Sequence, residues 1–553
     1  MFQSDTDSQH IVFRKESEIL SKRIQGLSEG YRQNIALLGL RGMGKTSLVR
    51  SCLAHASEAG CIPVYLELVH GEDFRQLARR WTATLLHQAV KDHVPSPDRS
   101  LDSLLRIADE LTPSLALSVK RLLAKSTRVK ASSEIFTEFL SLTSSLREVT
   151  QKPCVFVLEE FHNLESLGIR NAFSVLSSHI MIQKHTMFLL TSSHVQRAKH
   201  LLAEKLTLLF GNFEILEMAA LGAEDSCHFL EQRVGSTRIS PLVKEYLSEV
   251  SGGHPYYLDI LGQKLAALNA PEPWEEVTRE YVVEALFQLL FQPTGVLNQH
   301  FTLMLECVAQ TSRKRRAAAV LLALSEGPQR SDHVAKTIGL SRKSVTSELA
   351  RLQDADLVLR RSTLYSLTDG VFALWLDTAY RCREMLFPHS LVAAATAFRQ
   401  RAAEAIETFG AELPENQTEQ IINLFESFGN EVVEVDCRSR RLQRFQEVRS
   451  THVEGLGRII RAQSPLANWV CLFLEKEPSD RDVWAFSRWC QESRQKIHRR
   501  IIATSNKIDN TSRLIAKELH IWAWDLDQIN QLLETYGKPK IMRKNGSENG
   551  NAH

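Results

Sequence analysis

No two of the nine cysteines, which run from Cys52 to Cys490, are spaced C-x-x-C. That absence argues against a zinc ribbon and a disulfide framework, and free thiols in a reducing compartment are expected. No apolar stretch reaches the ~18 residues of a membrane span, and the opening MFQSDTDSQH lacks the apolar core of a secretory leader. The expectation is a cytoplasmic protein with no membrane partner. There is little net charge: 67 Lys+Arg against 65 Asp+Glu give a formal +2, a total that can hide a basic module among acidic neighbours. No internal repeat is visible. What is present is the composition of a globular chain, 43% apolar and 24% charged over 553 residues. That length is too great for one core, so two to four domains are expected.

Residues 1–30 read as an arm and a short helix, FRKESEILSKRIQGL. NIALLGL then reads as a buried strand running into a glycine-rich loop, followed by the helical TSLVRSCLAHASEAG, closed by Gly60. IPVYLEL (62–68), CVFVLEEF (154–161), TMFLLTSS (186–193) and FEILEM (213–218) are further strands, with a helical, polar stretch over about 72–150. Strands alternating with helices imply a parallel sheet covered on both faces, here a core over 31–221. Residues 222–310 are wholly helical, 311–385 open on the basic SRKRR, and 386–540 are mixed. The tail 541–553 is low in apolar residues, and disorder is expected there.

Gly39, Gly44, Lys45 and Thr46 satisfy G-x-x-x-x-G-K-[ST], with Gly42 inside the loop and Ser47 after it. In such a loop backbone N–H groups and a helix N-terminus surround phosphates, the lysine reaches the terminal phosphates, and the threonine hydroxyl ligates Mg2+. ATP and Mg2+ are therefore the expected cofactors. A merely tight glycine turn is the alternative, weakened by the strand before it and the helix after it. Hydrolysis also needs a carboxylate behind the metal and a group that orients water. VFVLEE offers Glu159 towards the metal and Glu160 as base, and Thr191, Ser192 and Ser193 end the next strand.

FRKESEI, GLRGMGKTS, VFVLEEFHNL, LLTSS and SGGHPYYL together resemble the archaeal-type ATPases, in the P-loop branch that includes the STAND signalling ATPases and the origin-recognition AAA+ proteins. The resemblance covers roughly residues 10–385. It implies that Gly252, Gly253 and Pro255 mark a lid helix near the nucleotide, and that several copies of the chain assemble. Two departures stand out. Glu159 replaces the usual Asp, and Asn212 sits where the family commonly has an arginine that stabilises γ-phosphate charge. Slow turnover, or an arginine from elsewhere such as Arg197, follows from the second.

RKRRAAAVLLALSEG, RSDHVAKTIGL and SRKSVTSELARLQDADLVLRR read as three helices in helix-turn-helix order, and LVLRRSTLYSL as a two-stranded wing. Val345, Leu349 and Leu352 share one face of the third helix. Arg342, Lys343, Ser344, Thr346, Ser347 and Arg351 lie on the other side, and are the residue types that reach bases and phosphates of duplex DNA. Residues 311–361 hold 11 Lys+Arg against 5 Asp+Glu. The alternative is a wing that packs on its own ATPase or on a partner protein. The following YSLTDGVFALWLDTAY matches the Tyr-x-x-x-Asp…Trp segment with which the family continues.

Residues 400–540 suggest helix, strand NEVVEVD, strand NWVCLFLE, helix DVWAFSRWCQ, strand RRIIATS, helix, strand HIWAWD. That order is similar to restriction-endonuclease-like domains, whose chemistry needs two acids and a lysine around a metal. Asp436 fits an acid, but Glu475-Lys476-Glu477 puts Glu where the lysine belongs, and Lys476 points away from Glu475 on a strand. A degenerate version for DNA binding or docking, an active nuclease and an unrelated fold all remain open. The clusters RSRRLQR and RQKIHRR fit nucleic-acid contact or solvated faces. The fold expected is α/β: a P-loop ATPase with a parallel sheet, a helical lid, a winged helix and a small C-terminal α/β domain. The function expected is an ATPase coupling nucleotide state to DNA, of a kind that fits mobile-element or defence systems. The alternatives are a STAND-like switch acting on a partner protein and a metal-dependent nuclease.

Overall fold

The structure is a computed structural model and describes residues 15–93, 100–128, 132–206, 213–269, 275–308, 314–413, 416–435, 438–493 and 495–541. Asn212, Asp436, the first two residues of SRKRR and nearly all of the tail lie outside these. The chain divides into two compact units, Met1–Ala219 and Ala220–His553.

The first unit is built on five strands: β1 (Asn34–Leu38), β2 (Ile62–Glu67), β3 (Cys154–Glu159), β4 (Thr186–Ser192) and β5 (Phe213–Glu217). Their order is β2-β3-β4-β1-β5 and every pairing is parallel. All residues of β1, β3 and β4 are buried, as expected for strands covered on both sides. Alternate residues sort into two layers. Ile35, Leu37, Val155, Val157, Met187 and Leu189 pack on helices α1 (Lys15–Ser28) and α2 (Lys45–Glu58), through Leu20, Ile24, Leu48 and Val49. Ala36, Leu38, Phe156, Leu158, Phe188 and Leu190 face the opposite layer.

That second layer is helical, as read for 72–150, and adds buried apolar faces to a stretch read as polar. It holds helices α3 (Phe74–Val90), α4 (Leu101–Leu111), α5 (Pro113–Arg128) and α6 (Ser133–Thr150). Phe74, Leu77, Ala78, Trp81 and Leu85 recur at helical spacing and are buried, and Trp81 meets Phe136, Phe139 and Phe156 at ring-centroid distances of 6.4, 6.3 and 5.1 Å. Most polar residues of the stretch lie on the outer faces, while Thr82, Thr112, Ser126 and Thr143 are buried.

In the second unit, helix Pro255–Asn269 crosses helix Ala223–Val234 closely: a Cβ on Gly262 would lie 2.5 Å from the Arg233 Cβ. Gly253 has φ +71, and a Cβ there would lie 2.0 Å from the Leu221 carbonyl oxygen, so glycine is required. Asp369 and Trp375 of the Tyr-x-x-x-Asp…Trp segment are structural ties. Asp369 caps helix Gly370–Trp375 at the Phe372 N–H and accepts the Tyr257 hydroxyl, and Trp375 Nε1 donates to Asn298 at 2.9 Å.

Helices Lys314–Leu324, Ser331–Ile338 and Arg342–Asp354 follow in order, with a three-stranded antiparallel sheet of Gln329–Arg330, Leu364–Leu367 and Val358–Arg361. Residues 447–524 hold a mixed five-stranded sheet in sequential order: Glu447–Val453, Gly457–Ser464 and Ala467–Leu474 antiparallel, then Arg499–Thr504 and Trp522–Trp524 parallel. The segment read as strand NEVVEVD instead pairs in a separate hairpin, Val432–Val435 with Arg438–Arg441. The first two strands of the sheet escaped the sequence reading. EVRSTHV is an exposed edge strand with no apolar alternation to reveal it.

Candidate functional site

The site forms at the carboxyl ends of β1, β3 and β4. Because β4 lies between β1 and β3, the loop after β1 and the acids after β3 flank the end of β4. Gly39 N–H donates to the Ser192 carbonyl at 3.3 Å, tying the glycine-rich loop to β4. A Cβ on Gly39 would come within 3.1 Å of the Met218 Cβ, and Gly42 and Gly44 have φ of 81 and 87, so each glycine has its own backbone reason. Ser47 is exposed on the first turn of α2.

Lys45 is buried and its Nζ donates to the carbonyls of Gly39 (2.7 Å) and Leu40 (3.0 Å). Desolvation holds its pKa below the ordinary lysine value, opposed by the nearby Glu160 and Glu159. The Thr46 hydroxyl donates to Glu159 Oε1. Glu159 is buried, and desolvation raises its pKa, opposed by the Thr46 bond and countered less by Lys45 and Arg50. Thr46 and Glu159 present oxygen donors side by side, the chemistry Mg2+ prefers. The longer Glu159 side chain thus spans from β3 to the first turn of α2.

Glu160 follows with φ 52 and ψ 46, a left-handed turn that swings its carboxylate towards β4. Its Oε2 accepts the Ser193 N–H (2.8 Å) and the Ser193 hydroxyl (2.9 Å), and lies 3.3 Å from His162 Nδ1. All these contacts fall on one carboxylate oxygen. His162, which sequence reasoning missed, is buried, with its Nδ1 2.9 Å from Ser192 Oγ and its ring packed edge-on to His194 at 4.7 Å. Burial holds its imidazole well below the ordinary value, with Glu160 pulling the other way. Its signal in the sequence was a polar residue two places after the acid pair, which periodicity does not single out. Thr191 is fully buried inside β4 and belongs to the sheet interior. Arg197 is exposed and engaged by Glu165.

Pro255, Gly252 and Gly253 belong to the second unit, where Pro255 opens its helix and both glycines have positive φ. On helix Arg342–Asp354, Val345, Leu349 and Leu352 are fully buried, while Arg342, Lys343, Thr346 and Ser347 are exposed. Arg342 pairs with Asp332 at 2.8 Å, an exposed pair. Arg351 differs from expectation. It is half-buried and bonded to Glu348, a buried carboxylate on the same helix, because i, i+3 neighbours meet on one side. Further on, Lys476 Nζ lies 3.3 Å from Asp482, and among the described residues no three His, Cys, Asp or Glu side chains are placed to hold a metal. Among them, too, no helix is long and apolar enough to cross a membrane.

No curated protein matches the chain. Among solved structures, a Walker-type ATPase of Pyrococcus abyssi is similar at 17% identity and TM-score 0.45, covering 67% of this chain and 99% of that one. The Aeropyrum pernix ORC2 protein follows at 16% identity and TM-score 0.43, covering 72% and 96%. The RuvB Holliday junction branch migration motor of Thermotoga maritima gives 13% identity and TM-score 0.32, covering 65% and 94%. The family model that matches is the AAA ATPase domain, over residues 12–185, a stretch that contains Gly39 to Thr46 and the pair Glu159 and Glu160. Residues 12–185 are thus similar to an AAA ATPase domain.

Proposed function

We propose that the chain binds ATP with Mg2+ at this loop, hydrolyses it with Glu160 as base, and couples nucleotide state to duplex DNA through the winged helix at 311–385. The observation that carries the enzymatic part is the tethering of Glu160 by one oxygen. Ser193 and His162 occupy Oε2, which leaves Oε1 to take a proton from water attacking the γ-phosphorus as the bond to the β-phosphate oxygen breaks. Lys45 exchanges its carbonyl partners for phosphate oxygens, and the N–H groups from Gly42 to Ser47 line the same anion. Thr46 and Glu159 would hold Mg2+, which would supply positive charge against the transferred group. Ser192 holds His162 rather than the phosphate.

The DNA-facing set is Arg342, Lys343 and Thr346, which are exposed on the face opposite the buried Val345, Leu349 and Leu352. The Arg342–Asp332 pair is solvent-exposed and worth little, so it yields readily to a phosphate. Arg351 serves its own helix. A second reading, a slow nucleotide switch acting on a partner, is supported by Asn212 standing where the related ATPases commonly have an arginine for the γ-phosphate; the Arg197–Glu165 pair is exposed and could yield as Arg342–Asp332 does. ATP turnover by the full chain, with and without duplex DNA and with Lys45→Ala as control, decides between them. DNA-stimulated turnover lost in Lys45→Ala supports coupling. Retained nucleotide without turnover rejects it.

A further inference from the structure

Two basic runs some fifty residues apart, 438–444 and 494–500, meet at one indole. The guanidinium of Arg440 lies 4.2 Å from the Trp522 ring centroid and that of Arg499 lies 5.2 Å from it. Register explains the meeting: Arg499 and Ile501 point to the same side of their strand, and Ile501 is opposite Trp522. Arg500 points to the other side, in the row Arg461–Val470–Arg500. There Arg461 lies 5.3 Å from the Trp489 ring and reaches Gln495 at 3.4 Å. Arg461 thus stands against helix Asp480–Glu492, which carries Trp489, and Arg500 lies on the same face of the sheet. One end of the five-stranded sheet therefore carries Arg440 and Arg499 on one face and Arg461 and Arg500 on the other.

Neither Arg499 nor Arg500 has a carboxylate within ion-pair distance among the described residues. Stacking on an indole fixes the plane of a guanidinium without using its N–H donors, which stay available for bidentate contact with phosphate. Arg499 and Arg500, adjacent in sequence and without a carboxylate partner among the described residues, repel one another, and a polyanion removes that repulsion. An acidic protein surface would remove it too. Arginines straddling both faces of a sheet end are better suited to a backbone whose charges repeat every few ångströms.

We infer that this arginine-flanked sheet end is a second duplex-DNA contact, made to the phosphate backbone and separate from the helix at Arg342–Asp354. At 0.1 M salt, counterion release is worth about eightfold in affinity per phosphate, so losing two contacts costs about 60-fold. The test uses the full chain carrying Arg342→Gln and Lys343→Gln, so that failure of the winged-helix reading cannot mimic failure of this one. Arg499→Gln and Arg500→Gln are then added, and anisotropy is read on a 30-base-pair random duplex across a salt series. The expected result is weaker binding by at least tenfold at 0.1 M salt and a salt slope shallower by about two. Polyglutamate serves as the competing anion. Equal duplex affinity and slope in both proteins overturns the inference, as does a loss confined to polyglutamate, which assigns the surface to an acidic protein. An unchanged thermal midpoint shows that the substitutions at the exposed Arg499 and half-buried Arg500 left the fold intact, and a lowered midpoint moves the comparison to Arg499→Lys with Arg500→Lys, which keep charge and must restore binding.

Discussion

Glu160→Gln tests the chemistry with little disturbance to the fold. The glutamine oxygen still accepts the Ser193 N–H and hydroxyl, now at 2.8 and 2.9 Å from a carboxylate. What is lost is the charge on those two bonds, about 1 kcal/mol of stability, and the ability to take a proton. A positioned general base is worth about 100- to 10,000-fold, or about 3 to 5 kcal/mol of barrier. Single-turnover hydrolysis should slow by at least 100-fold, while the Kd of a fluorescent ATP analogue changes less than threefold. Glu159→Gln should do the reverse, weakening Mg2+-dependent affinity first, because its carboxylate contacts Thr46 rather than Ser193. Turnover within threefold of the parent in Glu160→Gln refutes the assignment of the base, and the opposite pattern in the two variants exchanges their roles.

Gly253→Ala should cost about 2–4 kcal/mol in thermal unfolding, since the backbone is left-handed and the new Cβ would meet the Leu221 carbonyl at 2.0 Å. Gly60→Ala, with φ +76 and nothing within 4 Å, should cost only about 1 kcal/mol. Burial holds His179 at about 4 against an ordinary 6.5, so between those values the unfolded chain binds the extra proton. Its contribution to stability is present above pH 6.5 and falls as pH drops, by about 2 kcal/mol at pH 5, and urea midpoints of His179→Gln should lose that dependence. Arg342→Ala with Lys343→Ala should weaken duplex binding without moving the thermal midpoint. Arg351→Ala should instead lower stability by about 1–2 kcal/mol, because it strands the buried Glu348; an unaltered midpoint there would return Arg351 to the DNA-facing set.

The strands that position the site were legible because burial on both faces leaves an unbroken apolar run, as in NIALL and CVFVLE. The helix Arg342–Asp354 was legible for a different reason: Val345, Leu349 and Leu352 recur at helical spacing, and all three are buried. Segments on the rim gave no such pattern. Glu447–Val453 pairs along a whole edge with all its side chains exposed except the half-buried Val448 and Val453, so its hydrogen-bonded neighbour is what marks it as a strand. Within the site, residue type located Lys45, Thr46 and the two acids. The link from Glu160 to Ser193 and His162 depends on a left-handed backbone at Glu160 and on β4 being inserted between β1 and β3, neither of which a linear motif encodes.

The same burial acts on Lys45 and Glu159 in opposite senses. It lowers the pKa of the ammonium and raises that of the carboxylate, so both charged forms stand at a disadvantage in the folded site. Each partly compensates the other through space, but neither is bonded to the other: Lys45 spends its donors on two loop carbonyls, and Glu159 accepts a neutral hydroxyl. A salt bridge between them would have relieved the cost and closed the site. Kept apart, they retain an unmet demand, the ammonium for an anion and the carboxylate for a cation. A phosphate chain carrying a divalent metal meets both demands at once, one at each end of the loop. An inorganic phosphate or a free nucleotide meets only the first. The proposed preference for a metal-bound nucleotide therefore rests on which charges the fold buries and leaves unpaired with each other.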